Sequence, residues 1–274
     1  MNIKAFLPEN EKIQEHVAYY FIFNFEEQHI SKTYFNYPGT HNLVTICNNF
    51  STELIEGNLM INEIEEKKFR IDITGRFTKA IPCKINGKIK GITIVFKPLG
   101  INQFCEKSFS QILPEAHNDF PYWKNEATAL EALLNSSDIK EIAKKLDAIL
   151  LSFYRPFENK IVSDTLRLLH EDFTNNNVTK IEQTLHVNRK MLLRQFKKHL
   201  GVSITDYRRI LRFREAILLL PANNENLTQL AYESHFSDQS HFIKDIQKLA
   251  GESPGNLFKQ SELVKGTPFF IKAK

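Results

Sequence analysis

The feature that most constrains this chain is an internal repeat in its C-terminal half. Shifting residues 188–203 by 50 positions lays Asn188 on Asp238, Leu192 on Phe242, Leu193 on Ile243, Arg194 on Lys244, Phe196 on Ile246, Lys198 on Lys248, Gly201 on Gly251 and Ser203 on Ser253. Each match has a physical reason. Asn188 and Asp238 can accept from the first free N–H groups of a helix, and Gly201 and Gly251 can take the left-handed conformation that ends one. Leu192, Phe196 and Leu200, like Phe242, Ile246 and Ala250, recur every four residues as a stripe to be buried. A shorter amphipathic segment precedes each copy, Val178 to Leu185 and Leu227 to Ser234. Short helix, tight turn and capped helix with a polar outer face make a helix-turn-helix, and two copies at one spacing point to DNA.

Charge is distributed to match. The whole chain has 36 Lys+Arg against 32 Asp+Glu, a net +4. Cut after Arg155, the first part holds 18 against 19, or −1, and the remainder 18 against 13, or +5. Asn188 to Arg214 carries Arg189, Lys190, Arg194, Lys197, Lys198, Arg208, Arg209, Arg212 and Arg214 with only Asp206 opposed. Such a run is either a solvated face or the footprint of a polyanion partner.

Asn188 to Ser203, the segment Tyr207-Arg208-Arg209-Ile210-Leu211-Arg212, and Phe236-Ser237-Asp238-Gln239-Ser240-His241-Phe242 followed by Gly251-Glu252-Ser253-Pro254 resemble the DNA-binding domain of AraC/XylS-type transcription regulators. The resemblance covers about residues 160–260. It implies seven helices, with two helix-turn-helix units joined by one long helix, Ile204 to Leu220, that set their second helices in successive major grooves of double-stranded DNA. It also implies RNA polymerase as a partner. Glu182 stands where the first unit usually has Ala, and His186 and His235 stand where the turns usually have Gly. A bulky turn residue is accommodated by avoiding positive φ or by a backbone shift.

With Leu192 and Phe196 buried, the outward side chains of the first reader are Arg189, Lys190, Leu193, Arg194 and Lys197. Lys190 and Arg194 are the candidates for base edges, since Lys and Arg donate to guanine acceptors, and Arg189 and Lys197 for phosphate. The matching set in the second reader is Gln239, Ser240, His241 and Lys244, with Asp238 as helix cap. Gln239 can both donate to and accept from adenine. Arg208, Arg209 and Arg212 on the long helix go to solvent or to intramolecular partners. The second reader carries only Lys244 and Lys248, so the first should supply more of the salt-dependent affinity.

The first hundred residues read as short β-branched and aromatic strands: Tyr19 to Phe23, Leu43 to Cys47, Lys68 to Ile73 and Gly91 to Phe96. Asn86-Gly87 signals a hairpin between Lys84-Ile85 and Lys88-Ile89. The expectation is an α+β chain: a small β-barrel or sandwich-like domain with following helices over 1–155, a seven-helix domain with two helix-turn-helix units over 156–262, and a tail over 263–274. Helices are expected over Ile101 to Phe109, Glu126 to Leu134 and Asp138 to Tyr154. The last has Ile139, Ile142, Ala143, Leu146, Ile149 and Leu150 on one face, with Asp147 off it. That stripe either packs on its own barrel or makes a homodimer. Arg155-Pro156 marks the domain boundary.

Residues 1–155 resemble, more weakly, strand-rich sensory or dimerisation domains that precede such DNA-binding domains, through Pro38-Gly39 and Phe96-Lys97-Pro98-Leu99-Gly100 followed by Phe104. This implies regulation, with a small-molecule effector in the barrel as one form of it. His16, His29, His41 and His117 form no HxH or HxxxH pair, so no metal or other cofactor is expected. Phe21, Phe23, Phe25 and Phe35 read as core rather than as a ligand cage. Cys47, Cys83 and Cys105 lack CxxC spacing and suit a reducing cytoplasm, and no apolar run reaches the roughly 20 residues a bilayer needs. No nucleophile–base pair, paired acids or Gly-rich phosphate loop supports an enzyme. The competing readings are a non-specific nucleic-acid or protein-interaction module and a barrel enzyme with a helical appendix.

Overall fold

The computed structural model describes residues 2–25, 32–36, 38–66, 68–75, 77–113, 117–219, 227–260, 262–263 and 270–271, with side chains undescribed at 2, 32–36, 258–260, 262–263 and 270–271. His29 and Leu220, the Phe35 side chain and most of the tail lie outside the described residues. The first half runs β1 (Asn2–Phe6), α1 (Glu11–Gln14), β2 (Val17–Phe25), β3 (Lys32–Asn36), β4 (Asn42–Asn48), β5 (Phe50–Ile55), β6 (Asn58–Glu63), β7 (Phe69–Thr74), β8 (Ile81–Asn86), β9 (Ile89–Phe96), α2 (Phe109–Ile112), β10 (His117–Asp119), α3 (Ala127–Leu133) and α4 (Ile139–Phe153). An antiparallel sheet is ordered β1-β2-β9-β4-β7-β10, and a second is ordered β3-β8-β6-β5 with β6 and β8 parallel. Both sheets are open, so the sandwich-like alternative holds and the closed barrel does not.

The Asn86-Gly87 hairpin is not formed. β8 and β9 lie in different sheets, and this turn steps the chain from one to the other. Only Gly87 takes positive φ, 100°, while the Asn86 side chain donates to Asn62 Oδ1 at 2.6 Å across the parallel β6–β8 pair. The two-residue hairpin turn is instead Glu56-Gly57 between β5 and β6, where φ is 49° and 78°. Two consecutive positive φ values match the right-handed twist of paired strands.

Ile101 to Phe109 does not form one helix either: a 3-10 turn at Gly100–Gln103 is separated from α2. α4, capped by Asp138, turns Ile142, Leu146 and Leu150 into the core beneath Ile71, Ile92 and Ile94 of the six-stranded sheet. The stripe offered above as a dimer face is therefore consumed inside the protomer. Asp147, placed off that face by periodicity, is buried, because its carboxylate accepts from Glu9 N at 2.8 Å, Asn10 N at 2.7 Å and Tyr20 Oη at 2.6 Å. A buried charge is tolerated where several donors replace water, and here those donors pin the N-terminal segment to α4.

The second half contains α5 (Lys160–Asp172), α6 (Val178–Leu185), α7 (Arg189–Leu200), α8 (Ile204–Leu219), α9 (Leu227–Glu233), α10 (Gln239–Ala250) and α11 (Pro254–Gln260), followed by the short pair β11 (Glu262–Leu263) and β12 (Phe270–Ile271). It has two hydrophobic cores. Val162, Leu169, Ile181, Leu192, Phe196 and Tyr207 form one, and Phe213, Ile217, Leu230, Phe242, Ile246 and Leu249 the other. α8 serves both, giving Ile204 and Tyr207 to the first and Phe213, Ala216 and Ile217 to the second.

The halves are joined by specific bonds. The Gln103 carboxamide donates to Phe157 O and accepts from Phe157 N, both at 2.9 Å, and Arg155 N donates to Gln103 O at 2.7 Å. Asn102 Nδ2 donates to His199 O at the end of α7, at 3.2 Å. The loop before β8 reaches the other reader, where Ala80 N donates to Leu249 O at 2.6 Å. Between these points Thr40 bonds Tyr207, and half-buried His41 faces Arg214, His170 and Lys97.

Candidate nucleic-acid interface

In each helix-turn-helix a histidine closes the end of the first helix, directly after α6 and two residues after α9. His186 and His235 both take positive φ, 50° and 60°, so of the two ways of accommodating a bulky turn residue the avoidance of positive φ is not the one used. The reason is the hydrogen bonding around them. His186 N and Val187 N donate to Gln183 O and Glu182 O, and His235 N and Phe236 N donate to Tyr232 O and Ala231 O. This paired closure satisfies the last carbonyls of both helices and needs a left-handed residue at that position.

Past the histidine the units diverge by one residue. Val187 alone separates His186 from its cap Asn188, whereas Phe236 and Ser237 separate His235 from Asp238. Asn188 Oδ1 accepts from Lys190 N at 2.9 Å and Met191 N at 3.3 Å, while Asp238 accepts from His241 N at 2.8 Å. That bond holds the Asp238 carboxyl below the usual carboxylate range. Both readers stop at a left-handed glycine, with φ of 76° at Gly201 and 78° at Gly251.

The cores beneath the readers leave the expected outer faces free. Leu192, Phe196, His199 and Leu200 of α7 are buried, as are Phe242, Asp245, Ile246, Leu249 and Ala250 of α10. Arg189, Lys190, Leu193, Arg194 and Lys197 are all exposed on one reader, and Ser240, His241 and Lys244 on the other, with Gln239 half-buried.

Several of these side chains are already engaged. Arg189 Nη1 sits 3.4 Å from Thr179 Oγ1 and 3.7 Å from Glu182 Oε2, so the residue that replaces a small Ala holds the first reader's first arginine. Gln239 Oε1 accepts from Thr228 Oγ1 at 2.9 Å, which leaves its NH2 group as the part that can address a base. His241 packs edge-on against Phe236 at 5.5 Å, with Nδ1 3.2 Å from Ser237 Oγ. The arginines of α8 face inward: Arg208 donates to Phe173 O and Thr174 O, both at 2.8 Å, Arg209 lies 3.5 Å from Asp245, and Arg212 lies 5.1 Å over Phe236. Buried Asp245, which periodicity alone did not mark, thus ties α10 to α8.

Among the described residues no cluster of three or more His, Cys, Asp or Glu could hold a metal, and no helix is long and apolar enough to cross a membrane. Cys83 and Cys105 are buried thiols pushed up to about 12 by desolvation.

Residues 181–260 match the helix-turn-helix domain family. An uncharacterized HTH-type transcriptional regulator of Bacillus subtilis, YtdP, is 25% identical over 131 residues, 47% of this chain and 16% of that protein. The HTH-type transcriptional regulator GlxA of Rhizobium meliloti is 32% identical over 75 residues, 27% of this chain and 23% of that protein. The chain therefore spans less than a quarter of the length of either relative. The structure of ToxT from Vibrio cholerae aligns over 94% of this chain and 98% of its own, with 13% identity and a TM-score of 0.49. The matched segment takes in both capped readers and the α8 helix between them, so the similarity to the helix-turn-helix domain family covers the whole of the repeated part of the chain.

Proposed function

We propose that the chain is a sequence-specific, double-stranded-DNA-binding transcription regulator of the cytoplasm, with its strand-rich half as the regulatory part. One observation carries this reading. Two readers with free outer faces stand on separate cores at the two ends of α8, whose sixteen residues at about 1.5 Å each span roughly 24 Å. Readers mounted that way suit successive major grooves about 34 Å apart. Lys190 and Arg194 address bases, Lys197 and Arg189 phosphate, and Gln239, Ser240, His241 and Lys244 the second groove. RNA polymerase and a small-molecule effector are the further partners in this reading. A second copy of the chain would have to use a surface other than the α4 stripe.

Footprinting the full chain on genomic DNA tests it. Two protected patches one helical turn apart on one DNA face are expected. Uniform protection that depends on salt and not on sequence would replace it with non-specific binding.

A further inference from the structure

The two sheets of the strand-rich half do not close completely on each other. A cavity of about 60 Å³ remains between them. Phe23, Phe50, Leu59 and Ile61 give it apolar walls, the Thr45 hydroxyl lies 3.0 Å from that of Thr93, and Thr52, Asp72, Thr74 and His117 make the rest of its polar side. These four form one chain of hydrogen bonds. Thr52 Oγ1 donates to Asp72 Oδ2 at 3.0 Å, His117 Nε2 lies 2.9 Å from Thr52 Oγ1, and Thr74 Oγ1 lies 3.1 Å from His117 Nδ1. Arg70 Nη2 donates to the other Asp72 oxygen at 3.0 Å, so the buried carboxylate is already matched by a cation.

The carboxylate sets the direction of the whole chain. An ionised carboxylate only accepts, so the Thr52 hydroxyl spends its proton on Asp72 and takes one from Nε2–H of His117. Nδ1 is then the acceptor of that ring, and the Thr74 hydroxyl must donate to it. Burial favours the uncharged imidazole that this arrangement needs. The far end of the chain, the Thr74 oxygen, is left with lone pairs at the cavity wall.

We propose that this cavity binds a small, uncharged, mostly apolar molecule carrying one hydroxyl or N–H group, which donates to Thr74 Oγ1. At about 10–15 Å³ per water-sized position, the space takes about four to six heavy atoms, the size of a short-chain alcohol. A charged ligand is disfavoured, because Asp72 and Arg70 already neutralise each other and a further buried charge would have no partner. The inference rests on the regulator reading in one respect: β7, which bears Asp72 and Thr74, leads into the loop whose Ala80 N–H holds the second reader.

Amide NMR titration of the full chain with butan-1-ol, 1-methoxypropane and butanoate tests the site. Saturable shifts at Thr74 are expected with the alcohol, at least tenfold weaker binding with the isosteric ether, and none with the anion. In Thr74→Val, the alcohol should lose its advantage over the ether. Leu59→Phe, which fills the cavity without touching the polar chain, should abolish binding of both and serves if Thr74→Val fails to fold. Equal binding of alcohol and ether by the unmodified protein, no saturable shift with the alcohol, or undiminished binding by Leu59→Phe would each overturn the proposal. Alcohol binding in a chain that leaves no footprint on DNA would sink the regulator reading and leave the site standing; a footprint without alcohol binding would do the reverse.

Discussion

The two helix-turn-helix units share a backbone plan and differ in nearly everything laid over it. Both close on a left-handed histidine with the same pair of hydrogen bonds, and both readers end on a left-handed glycine. The first has the tighter turn, a cap serving two amides and a face of Lys190, Arg194 and Lys197. The second has a turn one residue longer, a carboxylate cap, and donors held in place by Thr228 and Ser237. Backbone closure is thus what repeats, and side-chain chemistry is what diverges. The expected division of labour follows: the first unit contributes more salt-dependent attraction, and the second more oriented hydrogen bonding.

The strongest way to break this comparison is to damage one core at a time. Phe196→Ala should cost about 3–5 kcal/mol and Ile246→Ala about 2–5 kcal/mol. Hydrogen-exchange protection should fall first in residues 160–207 for the former and 213–257 for the latter. Simultaneous loss throughout both segments would show that α8 makes them one cooperative unit.

At the proposed DNA face, Arg194→Ala should weaken operator binding by about 1–3 kcal/mol and relax choice at one base pair. Removing Arg189 and Lys197, the two phosphate candidates of the first reader, together should lower the salt slope by about 2, and Lys244→Ala by at most about 1. Equal slope changes from either reader would end the proposed division of labour.

Turn strain gives a smaller effect. His186→Gly should stabilise the chain by about 1 kcal/mol, because glycine enters the left-handed region without the steric cost of Cβ; thermal unfolding measures it. Glu182→Ala should free Arg189 and tighten DNA binding by less than about 1 kcal/mol, the scale of an exposed ion pair. Weaker binding in this variant would mean that Glu182 positions Arg189 for DNA.

The docking of the two units on the strand-rich half differs in its response to acid. His41, pushed down to about 4 from 6.5 by desolvation and by Arg214, His170 and Lys97, is uncharged when docked. Its contribution is complete above the free value of 6.5 and is lost as pH falls from 6.5 toward 4. The second unit is held by the bond from Ala80 N to Leu249 O, which does not titrate. Interface protection measured by hydrogen exchange between pH 7 and 5 should therefore fall around Thr40 and Tyr207 before it falls around Ala80.

The C-terminal half was legible because periodicity, caps and stop glycines there all follow from local rules. The seven helices among its described residues fall where periodicity and the family resemblance put them, and the reader side chains are exposed apart from half-buried Gln239. The strand-rich half was less so. Asn86-Gly87 has the composition of a hairpin turn, yet which strand pairs with which depends on residues far away, here Asn62. Asp147 reads as a surface residue until its three donors arrive from positions 9, 10 and 20. Glu182 and Gln239 were visible as residue types, but their grip on Arg189 and from Thr228 depends on how two helices cross.

Gln103 has a consequence for how such a chain can be rebuilt. Its carboxamide clasps the backbone of Phe157 from both sides, immediately past Arg155 and Pro156, where the sequence suggests a domain boundary. The junction therefore behaves as a fitted joint and not as a tether. Grafting a foreign domain onto this helical half by matching linker length alone would leave the Phe157 amide and carbonyl without their clasp. A working chimera would need to bring its own equivalents of Gln103 and Asn102, and screening for those two side chains is a cheaper guide to compatible halves than trial of linker lengths.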